Sequence, residues 1–274
     1  MHLRDQHVLV TGGSSGIGLA LAVRAAAAGA RVSIVSRNAA RLEAARKSIL
    51  ASGHPESPVF VSAADVSSET AVLASLREAE KAQGPIDVLI TSAGTARPGY
   101  FEEVPVAVFE RTMAVNYFGT LYPLKAVVPA MVKRGKGAVV LISSGAGLMG
   151  VFGYTPYSPT KFALRGLAES LRAELKPTGV HVMIVYPPDT DTPQLAEEQL
   201  TKPAETKAIT AAGGLWSADE VARVTLEGLR RRQFAVTPGL RMAALGRLHS
   251  LLSPVLFWSL DRIAKKASKR AVGP

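Results

Sequence analysis

The chain has 274 residues, 47% of them hydrophobic, enough for one large α/β domain with a sizeable core. It contains no cysteine, which excludes disulfides, thiolate metal sites and cysteine nucleophiles, and no uninterrupted apolar run reaches the ~18–20 residues of a membrane-spanning helix. The formal net charge of +10 calls for an anionic partner or surface, and it is uneven: from Leu240 onward seven arginines and lysines face a single aspartate, a net +6.

The first β-rich run, His7–Val10, begins too close to the N-terminus to leave room for a signal peptide, so a cytoplasmic location is expected. Further runs follow at Arg31–Val35, Val59–Val61, Val88–Ile90, Ala138–Ile142 and Val180–Tyr186, separated by Ala-, Leu- and Arg-rich segments of helical length. The runs are almost continuously apolar, as strands buried on both faces must be. The alternation predicts a doubly wound parallel α/β sheet.

Between the first strand and a helix expected over Leu19–Ala28 lies Thr11-Gly12-Gly13-Ser14-Ser15-Gly16-Ile17-Gly18. Gly12 permits a tight turn, Gly16 a close backbone approach to a pyrophosphate, and Gly18 close packing of helix on sheet. The helix start then presents free N–H groups and a positive dipole end to the phosphates. After the second strand, an acid would hold the ribose 2′-OH of NAD. Here stands Ser36-Arg37-Asn38, with Arg41 one turn on, and an arginine forks onto a 2′-phosphate. The expected cofactor is therefore NADPH. Asp65-Val66 after the third strand belongs beside the adenine, with a helix N-cap the other reading of Asp65. Ala93-Gly94 after the fourth belongs beside the nicotinamide ribose.

Ser144 ends the fifth apolar run, Tyr157 follows thirteen positions later, and Lys161 four after that, one turn along a helix. A free phenol has a pKa of about 10, too high for an ideal acid near neutrality, and a neighbouring ammonium lowers it. Tyr157 is thus the candidate proton donor to a carbonyl oxygen, Lys161 its electrostatic partner, and Ser144 the group that fixes that oxygen. Asn116, in Met113-Ala114-Val115-Asn116-Tyr117-Phe118-Gly119, is placed to interrupt a helix and hold a water linking Lys161 to solvent. No metal site is expected.

Residues 187–214, rich in Pro, Thr and acids and weak in periodicity, read as a substrate lid. Beyond residue 240, Ser253-Pro254 reads as an N-cap and first helical position. After it Leu256, Leu260, Ile263 and Ala267 share one face, with Arg262, Lys265, Lys266 and Lys269 opposite and Phe257 and Trp258 suited to a lipid interface. Two placements are open to this segment: lying on an anionic membrane surface, peripheral to the cytoplasmic face, or packed on the body or a subunit interface. No groove-reading motif points to nucleic acid.

Together the glycine loop and the Asn116, Ser144, Tyr157 and Lys161 spacing resemble the short-chain dehydrogenase/reductase family, from about Gln6 to Tyr186. The resemblance implies a Rossmann-type sheet of seven strands over residues 1–239, with 240–274 an extension. It implies that those four residues are the catalytic tetrad and that Ser14, Ser15, Ile17, Pro187, Thr190 and Thr192 also meet the cofactor. It further implies a homo-oligomer. The family's Asn-Asn-Ala-Gly after strand four is Thr91-Ser92-Ala93-Gly94 here, and its Pro-Gly after strand six is Pro187-Pro188. The lid, from Tyr186-Pro187-Pro188-Asp189 through Thr201-Lys202-Pro203-Ala204-Glu205-Thr206, resembles that of family members in sphingolipid synthesis, which reduce a long-chain keto-amine lipid. For such a substrate Asp189, Asp191, Glu197 and Glu198 are candidate partners of the ammonium. Leu148, Met149, Val151, Phe152, Tyr154, Leu195 and Leu215 are candidates to line an acyl channel. A reductase of another lipid, retinoid or steroid carbonyl is the nearest alternative, and a non-catalytic NADPH-binding regulator the alternative of a different class. A regulator has no use for Tyr157 beside Lys161.

Overall fold

The computed structural model describes residues 2–52, 58–211 and 214–271. The chain runs through β1 (His7–Thr11), α1 (Gly16–Ala27), β2 (Arg31–Ser36), α2 (Ala39–Ser52), β3 (Val59–Ala63), α3 (Glu69–Gln83) and β4 (Val88–Thr91). Then come α4 (Val106–Met113), α5 (Gly119–Arg134), β5 (Gly137–Ile142), α6 (Ser158–Leu175) and β6 (Val180–Val185). Two short strands and two short helices follow: β7 (Thr190–Asp191), α7 (Pro193–Gln199), α8 (Ala204–Ala211) and β8 (Trp216–Ser217). The chain ends with α9 (Ala218–Arg230), β9 (Ala235–Val236) and α10 (Leu240–Ala271).

Seven strands form one parallel sheet in the order β3-β2-β1-β4-β5-β6-β9. The two-residue period of each strand divides its side chains between two cores. Leu9, Leu89, Val139 and Leu141 meet α3, α5 and α6 through Leu76, Leu124 and Leu164. Val8, Val10, Ile90 and Val140 meet α1, α2 and α9 through Leu21, Ile49 and Leu229. Winding proceeds outward from β1 to β3 on one side, then resumes with β4 on the other. The switch point, and with it the crevice for a ligand, lies at the carboxyl ends of β1 and β4.

Three expectations about element limits are corrected. Helix α1 begins at Gly16, three residues before Leu19, because Ser15 is extended (φ −163°) and the chain turns helical immediately after it. The segment after β6 is partly regular: Thr192 caps α7 by accepting from the Leu195 N–H at 3.2 Å, with Pro193 at the first position. Finally, Ser253-Pro254 starts no new helix, since α10 runs unbroken for 32 residues. A proline removes one hydrogen bond from a helix interior, but the Ala-, Leu- and Arg-rich sequence on both sides keeps its helical preference.

The first turns of α10 belong to the body. Met242 is buried in the core that holds Leu148 and Tyr186, and Leu245 packs against it. Farther along, Leu260, Ile263 and Ala267 are half-buried, whereas Phe257, Trp258, Arg262, Lys265 and Lys266 are exposed. The side chains of Arg241, Arg247, Leu252, Ser253, Pro254, Leu256, Lys269 and Arg270 lie outside the described residues, as do residues 212–213 and 272–274. Among the described residues no helix is long and apolar enough to cross a membrane.

Candidate active site

A cavity of 710 Å³ opens along the carboxyl ends of the strands, running from Arg37 and Arg41 at one end past Tyr157 to the α8–α10 side. Gly12, Ser14, Ser15, Gly16, Ile17, Gly18, Val66, Ala93, Gly94, Ser144, Lys161, Pro187, Thr190 and Thr192 also line it. Asp65 and Asn116, though expected at the site, do not.

The glycine loop is a cradle that side chains would fill. Gly12 has φ +71°, and a Cβ there would lie 2.7 Å from the Ala93 backbone. Gly16 has φ +53° and a Cβ on it would lie 2.9 Å from Thr192 Cγ2; one on Gly18 would lie 2.3 Å from the Gly12 carbonyl. Gly18 therefore secures the packing of the loop against its own turn as well as of helix on sheet. The N-cap Ser15 makes no side-chain bond to the first turn of α1, so those N–H groups remain for an anion in the cleft. Ser14 Oγ donates to Ser36 Oγ at 2.8 Å, tying the loop to the end of β2. Arg37 and Arg41 stand exposed at the rim, with Asn38 Oδ1 accepting from the Arg41 N–H at 2.9 Å to open α2. These features fit a dinucleotide: a tight backbone cradle for a pyrophosphate and two guanidinium groups beside the second strand.

Asp65 does not cap α3 and does not line the cavity wall. Its carboxylate accepts from Ser67 at 2.7 Å and from Arg111 at 2.9 Å, and Ser68, not Asp65, caps α3. Partial burial disfavours its charge, but the Ser67 hydrogen bonds and the Arg111 guanidinium outweigh that and hold the carboxyl down at about 2. Its flanking neighbours Ala64 and Val66 form the cleft wall instead.

Asn116 sits in a π-helical turn, Ala114–Phe118, between α4 and α5, the helix interruption the sequence predicts. It is fully buried. Its Nδ2 donates to the Thr95 carbonyl and to Thr160 Oγ1, each at 3.0 Å, and its Oδ1 accepts from the Thr95 N–H at 2.8 Å. Asn116 thus locks the loop after β4 to α6 from behind the cleft. A Cβ on Gly94 would lie 3.4 Å from Asn116 Oδ1 and 3.8 Å from Lys161 Nζ, so the Gly94 backbone passes close to both groups.

Tyr157 caps α6 and Lys161 lies one turn in, both buried. Lys161 Nζ stands 5.4 Å from the centre of the Tyr157 ring and donates to the Ile142 carbonyl at 3.1 Å. Ser143 Oγ donates to the Lys161 carbonyl at 3.1 Å, and Ser144 Oγ accepts from the Ala146 N–H at the same distance. Burial lowers the Lys161 pKa to about 8, the Glu198 charge opposing the shift, so its ammonium persists at neutral pH. The Lys161 ammonium is expected to lower the Tyr157 pKa, yet the surroundings taken together raise it. Burial raises it, the Glu198 carboxylate raises it further, and hydrogen bonds with Ser144 and Gln194 offset only part.

Sequence reading missed Gln194 as a cleft residue and assigned the apolar wall only in part. Met149, Val151, Tyr154 and Leu195 line the cavity as expected, whereas Leu148 belongs to the main core and Phe152 and Leu215 are 40% and 65% exposed. Ile209 of α8 and Met242, Ala244, Leu245 and Leu260 of α10 complete the wall. The i, i+4 spacing of Gln194 and Glu198 was the available signal for the first. Nothing local signals the α10 residues, which reach the cleft only through tertiary packing.

A cleft of this geometry on a doubly wound sheet defines a nucleotide-dependent oxidoreductase. Residues 6–203 match the short chain dehydrogenase family, and the chain belongs to it. Among its relatives, a 3-dehydrosphinganine reductase of Danio rerio is 41% identical over 93% of this chain and 77% of its own length. A 3-ketodihydrosphingosine reductase of Mus musculus is 41% identical over 92% of this chain and 77% of its own. Of solved structures, levodione reductase superposes with a TM-score of 0.79 at 29% identity, over 88% of this chain and 99% of that one. A family member from Burkholderia phymatum, solved with NAD, shares the fold with a TM-score of 0.82 at 22% identity, over 93% and 96% of the two chains.

Proposed function

We propose that the chain reduces 3-ketosphinganine to sphinganine with NADPH, in sphingolipid synthesis. The observation that carries this reading is the 41% identity, across 93% of the chain, to a reductase of that name, with Ser144, Tyr157 and Lys161 together in one cleft. The nicotinamide cofactor of the family supplies the hydride that reaches the carbonyl carbon. The remaining steps are the protein's. The N–H groups at the start of α1 would hold the pyrophosphate, and Ala93 and Gly94 would border the nicotinamide ribose. Ser144 Oγ hydrogen-bonds the carbonyl oxygen of the substrate, and the Tyr157 hydroxyl gives that oxygen its proton, so that the ketone becomes a secondary alcohol. The Lys161 ammonium stabilises the phenolate left behind. A water held beside Asn116 completes the return of the proton from solvent. The acyl tail lies against Met149, Ile209, Leu245 and Leu260.

Arg37 and Arg41 are the groups proposed to choose NADPH over NADH. Arg37→Ala removes a charge-assisted contact worth about 1.5–3 kcal/mol, so NADPH affinity should fall by roughly 10- to 150-fold while NADH affinity changes little. Titration of both cofactors checks this, and equal losses would make Arg37 a structural residue.

The exposed face of α10, with Phe257 and Trp258 beside Arg262, Lys265 and Lys266, is proposed to rest on anionic lipid, where a long-chain substrate dissolves.

A further inference from the structure

Among the described residues three carboxylates line the catalytic cleft, those of Asp189, Glu197 and Glu198, and of these Glu198 alone is buried, at 6% exposure. Asp191, the fourth acid of the lid, is exposed and outside the cleft wall. A buried carboxylate survives only where donors or a cation compensate it. Glu198 accepts from the Tyr154 hydroxyl at 2.7 Å on one oxygen and from Gln194 Nε2 at 2.9 Å on the other. Both donors are uncharged. The buried ammonium of Lys202 lies 3.8 Å from Glu198 but 3.1 Å from Asp189, which is its closer partner.

The position of this carboxylate is as telling as its burial. Tyr154, which donates to it, has its ring 5.3 Å from the Tyr157 ring, and Gln194, which also donates to it, lines the same cleft. Glu198 therefore stands one side chain away from the proton donor. In a 2-ammonio-3-ketone the cation is borne on the carbon next to the reacting carbonyl, so its partner must lie at that range.

We propose that Glu198, oriented by Tyr154 and Gln194, receives the ammonium of the substrate and selects amino ketones over other long-chain ketones. The proposal rests on the substrate reading above. It also ties recognition to chemistry. Glu198 is the strongest charge acting against ionisation of Tyr157. An ammonium seated on it cancels that field and makes the phenol a better proton donor only when the right substrate is bound.

The test compares 3-ketosphinganine with the same ketone carrying a hydroxyl in place of the amine, with NADPH in excess. The wild type should prefer the amino ketone. In Glu198→Gln, kcat/KM for the amino ketone should fall by about 10- to 150-fold, the range for a lost charge-assisted contact, chiefly through KM. The hydroxy ketone should fall at least tenfold less, with NADPH affinity retained as the sign of an intact cleft. Equal losses on both ketones, or a preserved preference for the amine, would overturn the assignment of Glu198 and leave the substrate reading standing. A wild type that reduces the two ketones equally would overturn this proposal alone, and one that reduces neither would overturn the substrate reading and this proposal with it. If Glu198→Gln fails to bind NADPH, Tyr154→Phe decides: a loss confined to the amino ketone supports the role, and equal losses overturn it.

Discussion

Replacing Tyr157 with phenylalanine is expected to lower turnover by about 10²- to 10⁴-fold, the usual contribution of general acid catalysis, while cofactor affinity stays close to that of the wild type. The substitution removes one oxygen from a buried ring that keeps its packing against Tyr154 and its place at the head of α6. The loss should appear in kcat, because the proton is given only in the transition state. Single-turnover oxidation of NADPH with each protein measures it. Near-normal turnover in the variant would mean that another group donates the proton, and Ser144 would then need the same test.

The second large effect concerns the surface of α10. Changing Arg262, Lys265 and Lys266 together to glutamine removes three exposed charges without touching the buried Met242 seat. Each basic group near an anionic bilayer contributes on the order of 1 kcal/mol, so partition onto phosphatidylserine-containing vesicles should weaken by about 10²-fold. Raising salt should weaken wild-type binding in the same direction, and phosphatidylcholine vesicles should bind both proteins poorly. Vesicle sedimentation gives the answer. Unchanged binding by the triple variant would leave these groups as solvated charge. A truncation before Leu240 is a poorer test, because Met242 belongs to the main core and its loss would disturb the body.

How much was readable beforehand follows from where each constraint acts. The six longer strands are legible because burial on both faces leaves mostly apolar and β-branched residues, as in Val8-Leu9-Val10. Gly12, Gly16 and Gly18 are legible because each position forbids a side chain, two by positive φ and one by a neighbouring carbonyl. Ser144, Tyr157 and Lys161 are legible because their types and spacing match the family pattern, and the fold brings them to one cleft. Strand β9 is only two residues long and is held by pairing with β6, so no local pattern marks it. Pro254 misleads because a local break signal yields to strong helical preference on either side. The pairing of Asp65 with Arg111, 46 positions away, is one that no short-range reading can supply. Glu198 looks like any lid acid in the sequence; its burial and its bonds to Tyr154 and Gln194 set it apart only in three dimensions.

The most direct test of the functional reading is NADPH oxidation with 3-ketosphinganine set beside a steroid ketone and retinal of matched concentration. The account predicts that 3-ketosphinganine is reduced to sphinganine with a kcat/KM well above those for the other two, and with NADPH well above NADH. Turnover of the steroid ketone or retinal equal to or greater than that of 3-ketosphinganine would contradict it.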